Sequence, residues 1–262
     1  MAEPIQLVLF VGFAGLMFLL RLDARRFGAA EWDDQSGGWR EAAPRLTWYA
    51  AGLALGLLVF ALHPQPVADL NLSLAPDRGE ALLWGVLYGI GGIVAAFALA
   101  FIRFGGLHLP RPGRYPGGIV TAIGTAFFDE FLFRGVLLGL LLSLDLPNWL
   151  GVVVAAVIYA GAVRAVAGSQ GWFMVLVALA IGLVGGFLVV ATLGIAAALV
   201  GHAITRFALF LTMDPTSLQP KPVVAPSMAA TVTPQPYVIP PRRYPPGNDD
   251  DDRGGFGPVR PA

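Results

Sequence analysis

Seven apolar runs, each close to the ~20 residues needed to cross the hydrocarbon of a bilayer, decide most of what this chain can become. They span roughly residues 5–20, 46–63, 81–102, 118–143, 148–165, 172–190 and 193–212. Backbone polar groups in lipid must be satisfied within the segment itself. The expected fold is therefore all-α, a polytopic transmembrane helix bundle of about seven spans. Composition agrees: 56% of the 262 residues are hydrophobic and only 13% charged, too little charge to clothe a water-soluble domain of this length. The last two runs are divided only by a short turn near residues 192–194, so six spans plus a re-entrant piece is the alternative count. The chain has no cysteine, which excludes disulfides, thiolate zinc sites and cysteine nucleophiles. Its net charge is zero, so membrane lipid and not nucleic acid is the expected environment.

Charge placement gives an expected orientation. The first run lacks a basic flank before it and ends in Arg21, Arg25 and Arg26, which reads as a retained first helix with its N-terminus outside. On that orientation fourteen basic residues fall on the inner side, from Arg21 to Arg260, against Arg78 alone outside. The C-terminus is then cytoplasmic. Three regions follow: 1–80, two spans with an interfacial segment at 64–80; 81–213, a helical core; and 214–262, a disordered Pro-rich tail. The tail holds twelve of the chain's twenty-one prolines and the acidic run Asp249–Asp252. A solvated tail is the simpler reading of it, and a proline-rich docking site the alternative. His108, Arg111 and Arg114 form a basic loop that sets topology or meets head groups. His63 reads as an interfacial residue, and the Gly85, Gly89, Gly92 and Gly182, Gly185, Gly186 series as helix-packing positions.

Chemistry concentrates where charge enters lipid. An ionisable group at the centre of a span costs about 2.5–3.5 kcal/mol on insertion scales, so it faces the bundle interior and finds a partner. The residues so placed are Asp129, Glu130 and Arg134 in the fourth run and His202 and Arg206 in the seventh. Glu130 and Arg134 are four apart, on one helical face, and His202 and Arg206 repeat that spacing. By the helical rise Glu130 lies about 18 Å and His202 about 15 Å from the inner surface, so the two pairs can meet near mid-membrane. A deep carboxylate beside an imidazole is equipped to activate water. The same charges also sum to a neutral lock between two helices, and spacing alone does not choose between them.

The segment Phe127-Phe128-Asp129-Glu130-Phe131-Leu132-Phe133-Arg134-Gly135 resembles E-E-x-x-x-R-G, the first motif of the CAAX-protease and bacteriocin-processing (CPBP, Abi-type) family of intramembrane proteases. Residues 192–203, ending in Gly201-His202-Ala203, resemble its last motif, H-x-x-x-N. The resemblance covers roughly residues 81–212. It implies Glu130 as the base that activates water, with Asp129 and Arg134 in support. His202 would stabilise the oxyanion or, on another view of the family, ligate a metal. Two positions depart from the pattern. In the second motif, F-x-x-x-H, Tyr159-Ala160-Gly161-Ala162-Val163 aligns best and places Val163 where histidine is expected. In the third, Arg206 replaces asparagine. Valine neither binds a metal nor donates to an oxyanion. Arg206 would repel a divalent cation, so no cofactor is expected and a metal such as zinc is disfavoured; the alternative role for Arg206 is that of oxyanion donor in place of the missing histidine.

The resemblance thus implies an intramembrane peptidase acting near the C-terminus of a membrane-bound or prenylated peptide, in a prokaryotic inner membrane. The alternative is a catalytically degenerate adaptor on the same fold that holds a partner protein through its bundle and tail. Transport would call for more polar residues along a water path than one cluster supplies.

Overall fold

The computed structural model describes residues 4–29, 39–107, 109, 115–166 and 171–212, all within the first of the chain's two units, Met1–Gln219. Residue 213, the tail 214–262 and the loop residues His108, Arg111 and Arg114 lie outside the described residues. Among the described residues the chain is helical throughout, without a strand. The helices are α1 (Pro4–Asp23), α2 (Trp39–Leu62), the short α3 (Pro66–Asp69), α4 (Arg78–Phe104), α5 (Tyr115–Asp129), a π-helical stretch (Glu130–Leu137), α6 (Leu138–Ser143), α7 (Asn148–Val166), α8 (Gly171–Thr192) and α9 (Ala196–Thr212). A single turn of 3-10 helix, Ala24–Phe27, follows α1.

All seven apolar runs are helical, yet five helices are long and apolar enough to cross a membrane: Pro4–Asp23, Ala43–Leu62, Arg78–Ile102, Asn148–Ala165 and Met174–Thr192. The other two runs are not single long α-helices, for separate reasons. The fourth is divided by the π-helical stretch into pieces of 15, 8 and 6 residues. The seventh, α9, has 17 residues and reaches about 26 Å at the helical rise, short of the ~30 Å hydrocarbon core.

The bundle is built around the α5–π–α6 run, which is buried without a break from Leu132 to Leu141. Helices α1, α2, α7 and α8 pack against its middle, α4 lies along α9, and α7 pairs with α8. Small residues make the α4–α9 approach close. A Cβ on Gly85 would meet the Ala197 carbonyl at 2.9 Å, and one on Gly89 the Ile204 side chain at 2.7 Å. Gly182 and Gly186 do the same for α8 on Ala156 and Val152 of α7, at 2.9 and 2.8 Å. Outward faces carry exposed apolar side chains such as Val8 and Leu19 on α1 and Leu83 and Val94 on α4, the surface a lipid solvent calls for.

Segment 64–80 folds over one end of the bundle. The Asn71 amide donates to the Gly135 carbonyl at 3.2 Å, and Ser73 accepts from the Ile195 amide at 2.9 Å while its hydroxyl donates to the Leu193 carbonyl at 2.6 Å. His63, just beyond the end of α2, is buried: its Nδ1 accepts the Gln65 amide at 3.2 Å and its Nε2 stands 3.7 Å from Asp69.

Candidate functional site

Consecutive residues on a helix point about 100° apart, so Asp129 and Glu130 serve different neighbours. Asp129, fully buried, faces α1 and α7. Its Oδ1 accepts from Arg21 Nη2 at 2.8 Å and its Oδ2 from the Tyr159 hydroxyl at 2.9 Å. Arg21 is 1% exposed and its guanidinium lies 5.3 Å from the centre of the Trp48 ring and 5.9 Å from that of Phe133. The Trp48 indole in turn donates to the Leu20 carbonyl at 2.9 Å, pinning α2 to the end of α1. The first acid of the motif is thus one half of a buried ion pair across the bundle.

Glu130 turns the other way, toward α9. His202 Nδ1 is 2.7 Å from Glu130 Oε1. A carboxylate oxygen can only accept, so Nδ1 carries the hydrogen and donates it. Arg134 Nη1 is 3.4 Å from the same Oε1, within ion-pair reach but off hydrogen-bond geometry. The Arg134 guanidinium lies 4.3 Å from the centre of the Tyr159 ring, which therefore supports both acid centres, one through its hydroxyl and one through its face. The i, i+4 pairing of Glu130 with Arg134 survives the π-helical stretch between them.

Several buried polar atoms here have no partner in the protein: Glu130 Oε2, His202 Nε2, Arg134 Nη2 and, from α4, the Tyr88 hydroxyl. Buried polar groups are almost always satisfied, and a cluster of exceptions marks a place built to receive something polar. Gly185 of α8 borders it. A Cβ there would sit 3.5 Å from Arg134 Nε and 3.6 Å from Glu130 Oε2, so the glycine leaves open the space in front of the free carboxylate oxygen.

Arg206, one turn beyond His202, is buried and lies close enough to Tyr49 for its charge to act on that hydroxyl, which shares a 2.6 Å hydrogen bond with Thr125. Val163 is fully buried in the apolar core. The aromatic run divides: Phe128 and Phe133 are buried against Trp48 and Tyr159, at 4.5 and 4.9 Å between ring centres. Phe127 is exposed and stacks on Phe131 at 6.2 Å.

Among the described residues no three His, Cys, Asp or Glu side chains gather into a group able to hold a divalent metal, and Arg134 occupies the position beside Glu130 and His202.

Of the five residues singled out from sequence, the structure joins Glu130, Arg134 and His202 in one site and gives Asp129 to a neighbouring ion pair. Arg21, Tyr159 and Tyr88 complete these two centres and carried no signal above the ordinary. Arg21 closes an apolar run and reads as a topology charge, and tyrosines inside a span read as packing.

Residues 111–208 match the family model of type II CAAX prenyl endopeptidases, Rce1-like. The match covers both ends of the site, the acid motif of the α5–π–α6 run and His202 of α9, and bears out the resemblance read from those motifs. No curated protein and no solved structure matches the chain.

Proposed function

We propose that this protein is an intramembrane peptidase of the CAAX type that cleaves near the C-terminus of a membrane-bound or prenylated peptide, with Glu130 as its base. One observation carries the reading: Oε1 of a fully buried Glu130 is held by His202 at 2.7 Å while its Oε2 has no partner. A carboxylate with one oxygen fixed and the other free is oriented for work. In this reading Oε2 takes a proton from water and the hydroxide adds to the peptide carbonyl. Arg134 balances the charge that develops, and Glu130 returns the proton to the leaving amine. Asp129 is a positioning residue: with Arg21 and Tyr159 it fixes the roll of the helix that carries Glu130.

The setting belongs to the same proposal. The contiguous helical run 115–143 crosses as one unit and α9, at 17 residues, crosses at the short end of the spanning range, so that all seven runs span. The N-terminus lies outside, the C-terminus is cytoplasmic, and the membrane is a prokaryotic inner membrane. No metal takes part, and Arg206 supplies fixed positive charge on the inner side of the site.

A second reading is favoured by one position. Val163, where the family pattern has histidine, is sealed into the core and offers no polar group. On that reading the chain is an adaptor that keeps the fold and holds a protein partner. The test is cleavage of a panel of prenylated and unmodified peptides by the full chain in liposomes. Wild type would be run beside His202→Ala and the double variant Val163→His with Arg206→Asn. Wild-type cleavage abolished by His202→Ala supports the peptidase. A silent wild type whose double variant cleaves supports the adaptor.

A further inference from the structure

The site is one donor short of the family pattern, because Val163 brings no hydrogen bond to a developing oxyanion. A donor is present on an element outside the matched segment. Tyr88 belongs to α4, ahead of the matched segment 111–208. We infer that Tyr88 is a catalytic residue whose phenol hydroxyl donates to the oxyanion of the scissile carbonyl, taking the role that the missing histidine would fill. The inference rests on the peptidase reading above.

The observations come from three directions. First, the Tyr88 hydroxyl is buried and has no partner in the protein, whereas buried tyrosines ordinarily find one. Second, its location is fixed: the ring lies against Gly201, the residue preceding His202, where a Cβ on α9 would collide with it. The hydroxyl is near enough to Glu130 and Arg134 to interact with both charges. Third, the unpartnered atoms match what a peptide carbonyl and an attacking water ask for. Glu130 Oε2 is an acceptor for the water's proton, and Arg134 Nη2 and the Tyr88 hydroxyl are donors for the carbonyl oxygen. These groups come from α4 and the π-helical stretch, with Gly185 of α8 keeping the space beside Oε2 clear. A packing tyrosine would leave its hydroxyl bonded or in a head-group layer. A tyrosine kept for catalysis holds it in reserve until the charge develops.

Tyr88→Phe removes one oxygen that bonds to nothing in the protein, so it leaves the fold intact. The full chain is reconstituted in liposomes with a peptide that wild type cleaves and His202→Ala does not. The variant is expected to lose about 100-fold in kcat, the usual effect of deleting one oxyanion donor, with KM little changed. Its thermal midpoint stays the same or rises. A phosphinate analogue of the same peptide, which mimics the tetrahedral intermediate, loses affinity in parallel, while the product peptide does not. A Tyr88→Phe variant that turns over as fast as wild type overturns the assignment and leaves the peptidase reading in place. A lower midpoint with equal loss of substrate and analogue binding also overturns it, in favour of a structural role. Absence of any His202-dependent turnover in wild type instead removes the peptidase reading, and this assignment with it.

Discussion

Two adjacent acids in one motif do different work because a helix turns them toward different neighbours. Asp129 is spent on Arg21 and Tyr159, and Glu130 keeps an oxygen free. Breaking a buried ion pair strands a charge, at about 3–5 kcal/mol. Arg21→Met is therefore expected to destabilise the protein by about 3 kcal/mol. Adding Asp129→Asn should recover much of that loss, since the amide no longer needs a cation. Thermal unfolding of the single and double variants checks this; a neutral Arg21→Met would show that the pair is not what fixes this helix. The spacing of Glu130, Arg134 and His202 and their depth were enough to bring them together on paper. Arg21 was not legible, because an arginine at the end of an apolar run has the simpler explanation of marking the inner surface. The tyrosines were not legible either, since an aromatic residue in a span is by default packing. Only the unpartnered hydroxyl of Tyr88 and the bond from Tyr159 to Asp129 distinguish them.

At the scale of elements, the apolar runs gave every long helix, while the π-helical stretch within the fourth run left no trace in the pattern. Every residue there but Phe131 is buried, and nothing in the apolar pattern distinguishes i+5 from i+4 hydrogen bonding. The stretch hydrogen-bonds five residues back, as in the Leu138 amide to the Phe133 carbonyl, and such segments gather at functional sites. Just beyond it, Gly139 accepts the backbone of segment 64–80. A Cβ would stand 2.8 Å from both the Asp69 carbonyl oxygen and Leu70 Cα, neither of which can swing away. Gly139→Ala should thus cost about 1–3 kcal/mol of stability, seen as a lowered thermal midpoint. Gly185→Ala differs. Its methyl would make ordinary contacts at 3.5–3.6 Å, so the fold tolerates it, but it takes the space before Glu130 Oε2. Peptide turnover is expected to fall by about 10-fold or more with an unchanged midpoint, since misplacing a reacting group by about 1 Å is enough for such losses. Equal turnover in the two proteins would place the water elsewhere.

At the scale of the molecule, the described residues form a helical bundle that puts apolar side chains outward and its charged cluster inward, the arrangement of a multi-pass membrane protein. Composition alone dictated that much. Orientation is harder to read, because two of the arginines that weigh on it are buried. Arg21 pairs with Asp129, and Arg45 donates to the Gly28 carbonyl at 2.7 Å. The absence of cysteine makes orientation directly measurable with single introduced thiols. Val67→Cys, at an exposed site in α3, should react with an impermeant maleimide added outside. Gly106→Cys, beyond the end of α4, should react only after the membrane is opened. The reverse pattern would invert the topology. The central claim, that Glu130 is held by His202 as a working base, has its most direct test in cleavage by wild type against Glu130→Gln. The glutamine keeps the size of the side chain and an acceptor for His202, and removes only the basicity. Mass spectrometry of the peptide products should show turnover by wild type and a loss of about 100-fold or more in the variant. Equal cleavage by the two proteins would contradict the account.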